Sequence, residues 1–598
     1  MNERHPPSRF GARLTRNGAS FRLWAPAAER VDLLLETPHP LHRDADGWFS
    51  ADIAGVKPGA RYKFRIDDEI DVPDPASAFQ PEDVSGPSEL IDHAAYRWRA
   101  EDWRGRPWPE TVVLESHVGT FTPQGTYRAM IERLDHLKTT GITALELMPL
   151  ADFAGQRNWG YDGVLWYAPD SIYGRPDDLK ALIDEAHLRG LMVFLDVVYN
   201  HFGPEGNYLG RYAPPFFTDA QTPWGSAIDY RVPEIRDFAI GNALYWLSEY
   251  RFDGLRLDAV HAIAEPGEKS MLIDLSRAVG DFAGATGRHI HLMLENDDNA
   301  ARLLDAGEDP PRGKYRAQWN DDYHHAWHVL LTGETHGYYR DYERAPRVDI
   351  ARALGSGFVY QGEISAHRDG QPRGERSEKL APSAFVNFLQ NHDQIGNRAL
   401  GDRLEANADP RAIEAALAIT LLAPAVPMLF MGEEWGSKAP FPFFCDFKGD
   451  LAKAVREGRR REFAGAYAKY GDEIPDPLAA STARSAVLDW SSANQSPGRE
   501  RLALVRKLLS VRQREIIPRL GGAAFGGAQV KENALLTATW RMGDGATLSL
   551  TANLSDHDIP HAADESGGTL IWGSELTASV PALTAAFTAP WAVSWRIG

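Results

Sequence analysis

Four apolar runs in this chain lead into carboxylates, and that pattern restricts the fold more than any other feature. Residues 191–195 lead into Asp196-Val197-Val198-Tyr199-Asn200-His201, and Gly254-Leu255-Arg256-Leu257 ends on Asp258. Residues 290–294 end on Glu295-Asn296-Asp297, and residues 384–389 lead to Asn391-His392-Asp393. Runs of this kind suit strands buried on both faces, as in an all-parallel sheet. A carboxylate inside an apolar layer is costly unless it is paired. Carboxylates placed repeatedly where strands end therefore predict one shared acidic site at one end of a parallel barrel.

The stretches between these runs support closure. Val112-Val113-Leu114-Glu115 reads as a first strand, and Met130, Leu134 and Leu137 form one helix face that Gly141 ends. Residues 144–148 read as a second strand. Pro176 opens a helix whose apolar face carries Leu179, Leu182, Ile183 and Ala186, and Gly190 closes it. Ala317-Gln318-Trp319 is a short sixth strand and residues 426–431 the eighth. No Gly-rich phosphate loop follows the first strand, so a closed (β/α)8 barrel is preferred to an open sheet. Residues 200–233 and parts of 340–379 read as insertions on its active face.

The 598 residues allow several domains. Residues 1–95 read as an N-terminal β-sandwich: Arg61-Tyr62-Lys63-Phe64-Arg65-Ile66 alternates with the period of a half-buried strand. Asp71-Val72-Pro73-Asp74-Pro75-Ala76 is expected to lack regular structure. The barrel takes 96–515. Residues 516–598 return to β signals, with a hairpin turn at Gly543-Asp544-Gly545 and no helical period after Leu509. The net charge of −19 disfavours nucleic acid and anionic membranes as partners. No run approaches the roughly 20 apolar residues of a membrane helix, and residues 1–10 lack the apolar core of a secretory signal. The single cysteine, Cys445, excludes an internal disulfide and any CxxC metal pattern. A cytoplasmic address is expected.

The chemistry follows from the acids. Arg256 and Asp258 are two apart, so both point to one strand face. A guanidinium beside a carboxylate keeps it ionised, as a covalent glycosyl intermediate requires of its nucleophile. Glu295, at an apolar strand end near other acids, is expected to have a raised pKa and to act as general acid. Asp393 is a third acid able to grip sugar hydroxyls. Each has a plainer reading: a barrel ion pair for Asp258, a helix cap for Glu295, a turn for Asp393. Asp196 can be structural in either case. Asp196, Asn200 and His201 form no oxygen-rich calcium loop. His201, His261 and His392 lack zinc spacing, and bonds to sugar hydroxyls suit them better. No metal and no cofactor are expected. Tyr161 is a candidate for stacking on a sugar. Trp159, Trp224, Trp319 and Trp435 either line the groove or pack. Asp321, Asp322 and Glu434 are candidate polar contacts.

These motifs resemble the α-amylase superfamily of retaining α-glucan enzymes, over about residues 111–510. By that resemblance Asp258 matches the nucleophile, Glu295 the acid/base and Asp393 the transition-state stabiliser, while Asp196, His201, Arg256 and His392 match supporting positions. Longer strings narrow the likeness. Asn158-Trp159-Gly160-Tyr161-Asp162-Gly163, Gln318-Trp319-Asn320-Asp321-Asp322-Tyr323 and Met431-Gly432-Glu433-Glu434-Trp435-Gly436 are similar to those of maltooligosyltrehalose trehalohydrolases. That family cleaves the α-1,4 bond next to the terminal trehalose of maltooligosyl trehalose, beside a synthase that makes the substrate. The resemblance implies no cofactor and no required calcium. Two alternatives share the fold: an α-glucan branching enzyme, and a non-catalytic glucan-binding protein. The same three acids serve hydrolysis and transfer, so the acids alone do not separate the first two.

Overall fold

The computed structural model describes residues 9–222, 225–263, 270–305, 313–531, 534–560, 568–574 and 587–598. Its centre is a closed barrel of eight parallel strands. They are β1 (Val113–Ser116), β2 (Ala144–Leu147), β3 (Met192–Val197), β4 (Gly254–Leu257), β5 (His291–Leu294), β6 (Ala317–Trp319), β7 (Phe385–Phe388) and β8 (Val426–Phe430). β1 pairs with β8 to close the ring. Every residue of these strands is buried, the cost-free arrangement for apolar runs without alternation.

Side chains alternate across the wall. Val113, Ala144, Met192, Phe194, Met293 and Val386 form an apolar plug inside, sealed below by Trp108, whose indole N–H donates to the Ser383 carbonyl at 2.8 Å. Leu114, Leu145, Val193, Leu195, Leu255 and Leu257 belong to a separate apolar cluster that includes the surrounding helices. Two residues beyond the plug on the same inward face lie Glu115, Glu146, Asp196 and Arg256. The register sets Glu115 beside Glu146 and Asp196 beside Arg256. A polar layer thus rests on an apolar floor. Gly254 is required at the start of β4: a Cβ there would lie 2.4 Å from the His291 carbonyl oxygen.

The N-terminal region is two packed antiparallel sheets, with Tyr62, Phe64 and Ile66 buried on alternate positions as their spacing predicts. Against what their prolines suggested, residues 71–76 are not wholly irregular. Ile70–Val72 is a strand on the edge of Arg61–Ile66. Asp71 holds Arg65 at 2.7 Å, and Pro73 follows where the pairing stops. The insertion after β3 carries a hairpin, Phe217–Thr222 with Gly225–Ile228, and packs Phe216 against Trp24 of the N-terminal sheets. The C-terminal region is a five-stranded antiparallel sheet, in which Leu535–Arg541 and Thr547–Asn553 pair around the expected turn.

Helical structure does continue past Leu509. The helix Gly498–Val511 runs into a wider turn, Arg512–Ile516. Arg512 lies fully buried there and donates to the carbonyls of Leu421, Ala423 and Ala425, at 3.1, 2.6 and 2.8 Å. These carbonyls end the helix Pro410–Leu422 just before β8, where the helix has no partners of its own. Arg512→Met leaves three buried carbonyls unpaired and is expected to lower stability by roughly 3 kcal/mol. A drop in the thermal unfolding midpoint, with the secondary structure unchanged, checks this.

Candidate active site

Arg256 is the hub. Its side chain is fully buried, and its guanidinium donates to carboxylates from three successive strand ends. Nη1 reaches Asp196 Oδ2 at 2.7 Å and Asp258 Oδ1 at 2.9 Å, while Nη2 reaches Glu295 Oε2 at 2.7 Å. The face of the guanidinium lies 4.1 Å from the centre of the Trp319 ring. A buried cation is tolerated only when it is paired on most sides, and here it is. Burial opposes its charge, but Asp196, Glu295, Tyr161 and Asp258 together hold it firmly protonated.

Beyond Asp258 the chain turns sharply. Ala259 takes a left-handed conformation, φ 39°, unusual for a residue with a Cβ. The turn aims its backbone N–H at Glu295 Oε2, 2.8 Å away. Ala259→Gly is therefore expected to be tolerated, and Ala259→Val to cost at least about 1 kcal/mol and to disturb Glu295; a thermal midpoint with a kcat measurement checks both. Asn200, after β3, donates to Asp258 Oδ2 at 2.8 Å and to its carbonyl at 3.0 Å. Both oxygens of Asp258 are thus held by fixed donors.

Asp393 arrives from the far side. Asn391 caps the short helix His392–Gly396 by accepting the Gln394 N–H at 2.8 Å, which puts Asp393 in the first turn. Its carboxylate is 40% exposed, and His392 Nε2 lies 3.5 Å away. The His392 ring stacks on Tyr161 with centroids 4.9 Å apart. The Tyr161 hydroxyl donates to Asp196 at 2.5 Å, which returns to Arg256. A continuous set of contacts therefore runs from Asp393 through His392, Tyr161, Asp196 and Arg256 to Asp258 and Glu295. The four acidic motifs meet in one place.

The other expected residues divide into two groups. His201 bonds Asn200 through Nδ1 and the Tyr161 carbonyl through Nε2 at 2.9 Å; burial lowers its pKa. It steadies two neighbours of the acids. His261 receives the Asp297 N–H at 3.3 Å. Asp321 is pushed well up by burial, with Glu295 and Asp297 adding, and takes a bond from Gln394 at 3.4 Å. It borders the acids. Asp322 is instead a buried structural anchor for Arg373. The hairpin of the 340–379 insertion clamps the loop after β5: Arg368 pairs with Asp297 and, at 2.9 Å, with Asp298.

Three of the four candidate tryptophans pack. Trp159 stacks on Phe441 at 5.2 Å and meets His392 edge-on, forming the wall behind that ring. Trp319 lies under Arg256. Trp435 is buried and bonds Ser492 at 3.0 Å. Glu434 stands apart from the acids, buried against His136 at 3.1 Å. Trp224 lies outside the described residues. Two residues gain importance that their strand positions hid: Glu115 contacts His392 directly, and Glu146 lies beside Glu115. Among the described residues no cluster of three His, Cys, Asp or Glu could hold a metal ion, and no helix is long and apolar enough to cross a membrane.

Residues 90–214 match the family model for the alpha amylase catalytic domain, residues 9–78 that for carbohydrate-binding module 48 (isoamylase N-terminal domain), and residues 523–595 a domain of unknown function. A malto-oligosyltrehalose trehalohydrolase of Deinococcus radiodurans is 42% identical over 521 residues, 86% of this chain and 84% of the relative. A relative of the same description from Saccharolobus solfataricus is 40% identical, covering 80% and 83% of the two chains. The crystal structure of a candidate alpha amylase from Salmonella typhimurium superposes with a TM-score of 0.92 at 43% identity, over 99% of this chain and all of that one. A 1,4-alpha-glucan branching enzyme of Corynebacterium jeikeium is more distant, at 27% identity over 467 residues.

Proposed function

This chain belongs to the family of malto-oligosyltrehalose trehalohydrolases, within the α-amylase glycoside hydrolases, and from that premise we propose that Asp258, Glu295 and Asp393 cleave the α-1,4 bond next to the trehalose end of maltooligosyl trehalose. The observation that carries the reading is the single guanidinium of Arg256 shared by Asp258 and Glu295. It brings to one rim the two carboxylates that retaining cleavage needs, and it touches Glu295 through Oε2, so the proton that Glu295 delivers sits on Oε1.

Asp258 attacks the anomeric carbon of the glucosyl unit next to the trehalose. The bond from that carbon to the leaving oxygen breaks, and Glu295 delivers its proton to that oxygen as trehalose departs. Glu295, now a carboxylate, takes a proton from water. The water oxygen bonds to the anomeric carbon and Asp258 leaves, so the configuration is retained. Asp393 steadies the cationic ring in the transition state of each step, and His392 and Tyr161 hold Asp393 and Asp196 in place. His261, Asp321 and Gln394 border the acids and are positioned for sugar hydroxyls. The substrate comes from a maltooligosyltrehalose synthase, and a cytoplasmic setting suits a chain with one cysteine.

Incubation with maltotriosyl trehalose, and separately with maltopentaose, tests the reading. Trehalose released from the first, with little action on the second, supports it. Chain transfer points to a branching enzyme, and no turnover by a folded sample points to a non-catalytic glucan binder. A smaller test concerns Asn200. Asn200→Ala removes a donor from the proposed nucleophile and is expected to lower kcat by about tenfold to a hundredfold, with little change in KM.

A further inference from the structure

Glu115 and Glu146 lie side by side on the first two barrel strands, just beneath the Asp393 arm. Glu115 holds His392 twice. Its Oε1 accepts from the ring Nδ1, and its Oε2 accepts the His392 backbone N–H at 3.0 Å. One carboxylate on β1 thereby pins the loop that follows β7, on the far side of the β1–β8 closure. Both side chains are 1% exposed. The ring cannot turn: Tyr161 covers one face and Trp159 meets it edge-on. Its remaining nitrogen, Nε2, is the atom near Asp393.

We propose that Glu115 is a positioning residue for the reaction: it keeps His392 charged and so fixes Asp393 from beneath, while Glu146 beside it remains a neutral acid. The proposal rests on the reading of Asp393 as the transition-state stabiliser. A buried carboxylate needs a charged partner, and His392 is the one that Glu115 has. The groups facing His392 are Glu115 from β1, Glu146 from β2, Arg256 from β4, the hydroxyl of Tyr161, His117 and its own neighbour Asp393. Burial drives His117 down to about 4, so it adds no competing charge near neutrality. Burial also opposes charge on His392, but Glu115 and Asp393 outweigh it and raise the ring to about 9. Glu146 has both carboxyl oxygens buried and without a hydrogen-bond partner among the described residues. Burial first, then Glu115 and Asp196, push it well above the carboxylate range, in keeping with its unpartnered oxygens.

With Glu115 and Asp393 raising the ring to about 9, the imidazolium is expected below that pH and is expected to be lost as pH rises through it. The His392 ring signals of the native enzyme, identified by their absence in His392→Asn, are followed by NMR against pH. A charged ring at pH 8 is expected, and a neutral ring there overturns the proposal. Glu115→Gln keeps the volume and an acceptor for the backbone N–H but removes the charge. Its basic limb of kcat on maltotriosyl trehalose is expected to fall by about two pH units, toward the ordinary histidine value, with turnover at pH 6 little changed. A loss by the same factor at every pH overturns the proposal, because a merely structural residue behaves that way. The NMR titration needs no substrate; repeated on Glu115→Gln, where the ring is expected to lose its proton about two pH units lower, it decides the role of Glu115 even if the enzyme releases no trehalose.

Discussion

Asp258→Asn removes nearly all turnover of maltotriosyl trehalose, by roughly 10⁴-fold or more, in a protein whose thermal midpoint stays close to the native one. Asn keeps the volume and still offers one oxygen to Arg256, whose Nη1 now lies 2.9 Å from Asp258 Oδ1. It cannot form the covalent bond to the anomeric carbon, so the loss falls on kcat. Asp258→Gly extends the test. Azide fits the space left by the carboxylate, restores cleavage and yields a glycosyl azide of inverted configuration. A variant with near-native turnover, or azide without effect on Asp258→Gly, assigns the nucleophile elsewhere.

Arg256→Met produces the second large effect, in stability as well as rate. Removing the guanidinium leaves Asp196, Asp258 and Glu295 adjacent, with Asp196 almost wholly buried. Breaking one buried ion pair costs about 3–5 kcal/mol, and three carboxylates share this cation. The variant is expected to unfold well below the native midpoint at neutral pH. Lowering the pH should recover part of the loss, since protonation relieves the repulsion among the acids. Arg256→Lys is also expected to fail, because a point charge on a flexible stem does not match three donor directions at once. Native stability in Arg256→Met would remove the hub from the account.

Much of this was legible beforehand, for identifiable reasons. Residues two apart on a strand share a face, so Arg256 and Asp258 had to meet. Apolar runs buried on both sides had to lie in a parallel sheet, so the acids at their ends had to face one rim. What the strand pattern conceals is contact across the barrel. Glu115 and Glu146 sit in apolar runs where a carboxylate is as costly as at Asp196. That cost was a usable signal: both stand one residue from the end of their strands, as Asp196 does. Trp319 sits at an end and invited a role in the groove. It turns inward instead and lies 4.1 Å beneath Arg256, a pairing set by strand tilt and register rather than by spacing. Glu434 follows β8, yet it turns to His136 on the helix Leu134–Thr140, outside the barrel.

The most direct measurement traps the intermediate. Glu295→Gln cannot protonate a leaving sugar, but a 5-fluoro maltosyl fluoride carries a leaving group that needs no proton. Incubated with that variant, digested and read by mass spectrometry, the reagent should leave a maltosyl adduct on the peptide containing Asp258, through its carboxylate. A label on any other carboxylate, or release of product as the inverted anomer with no adduct, would contradict the account.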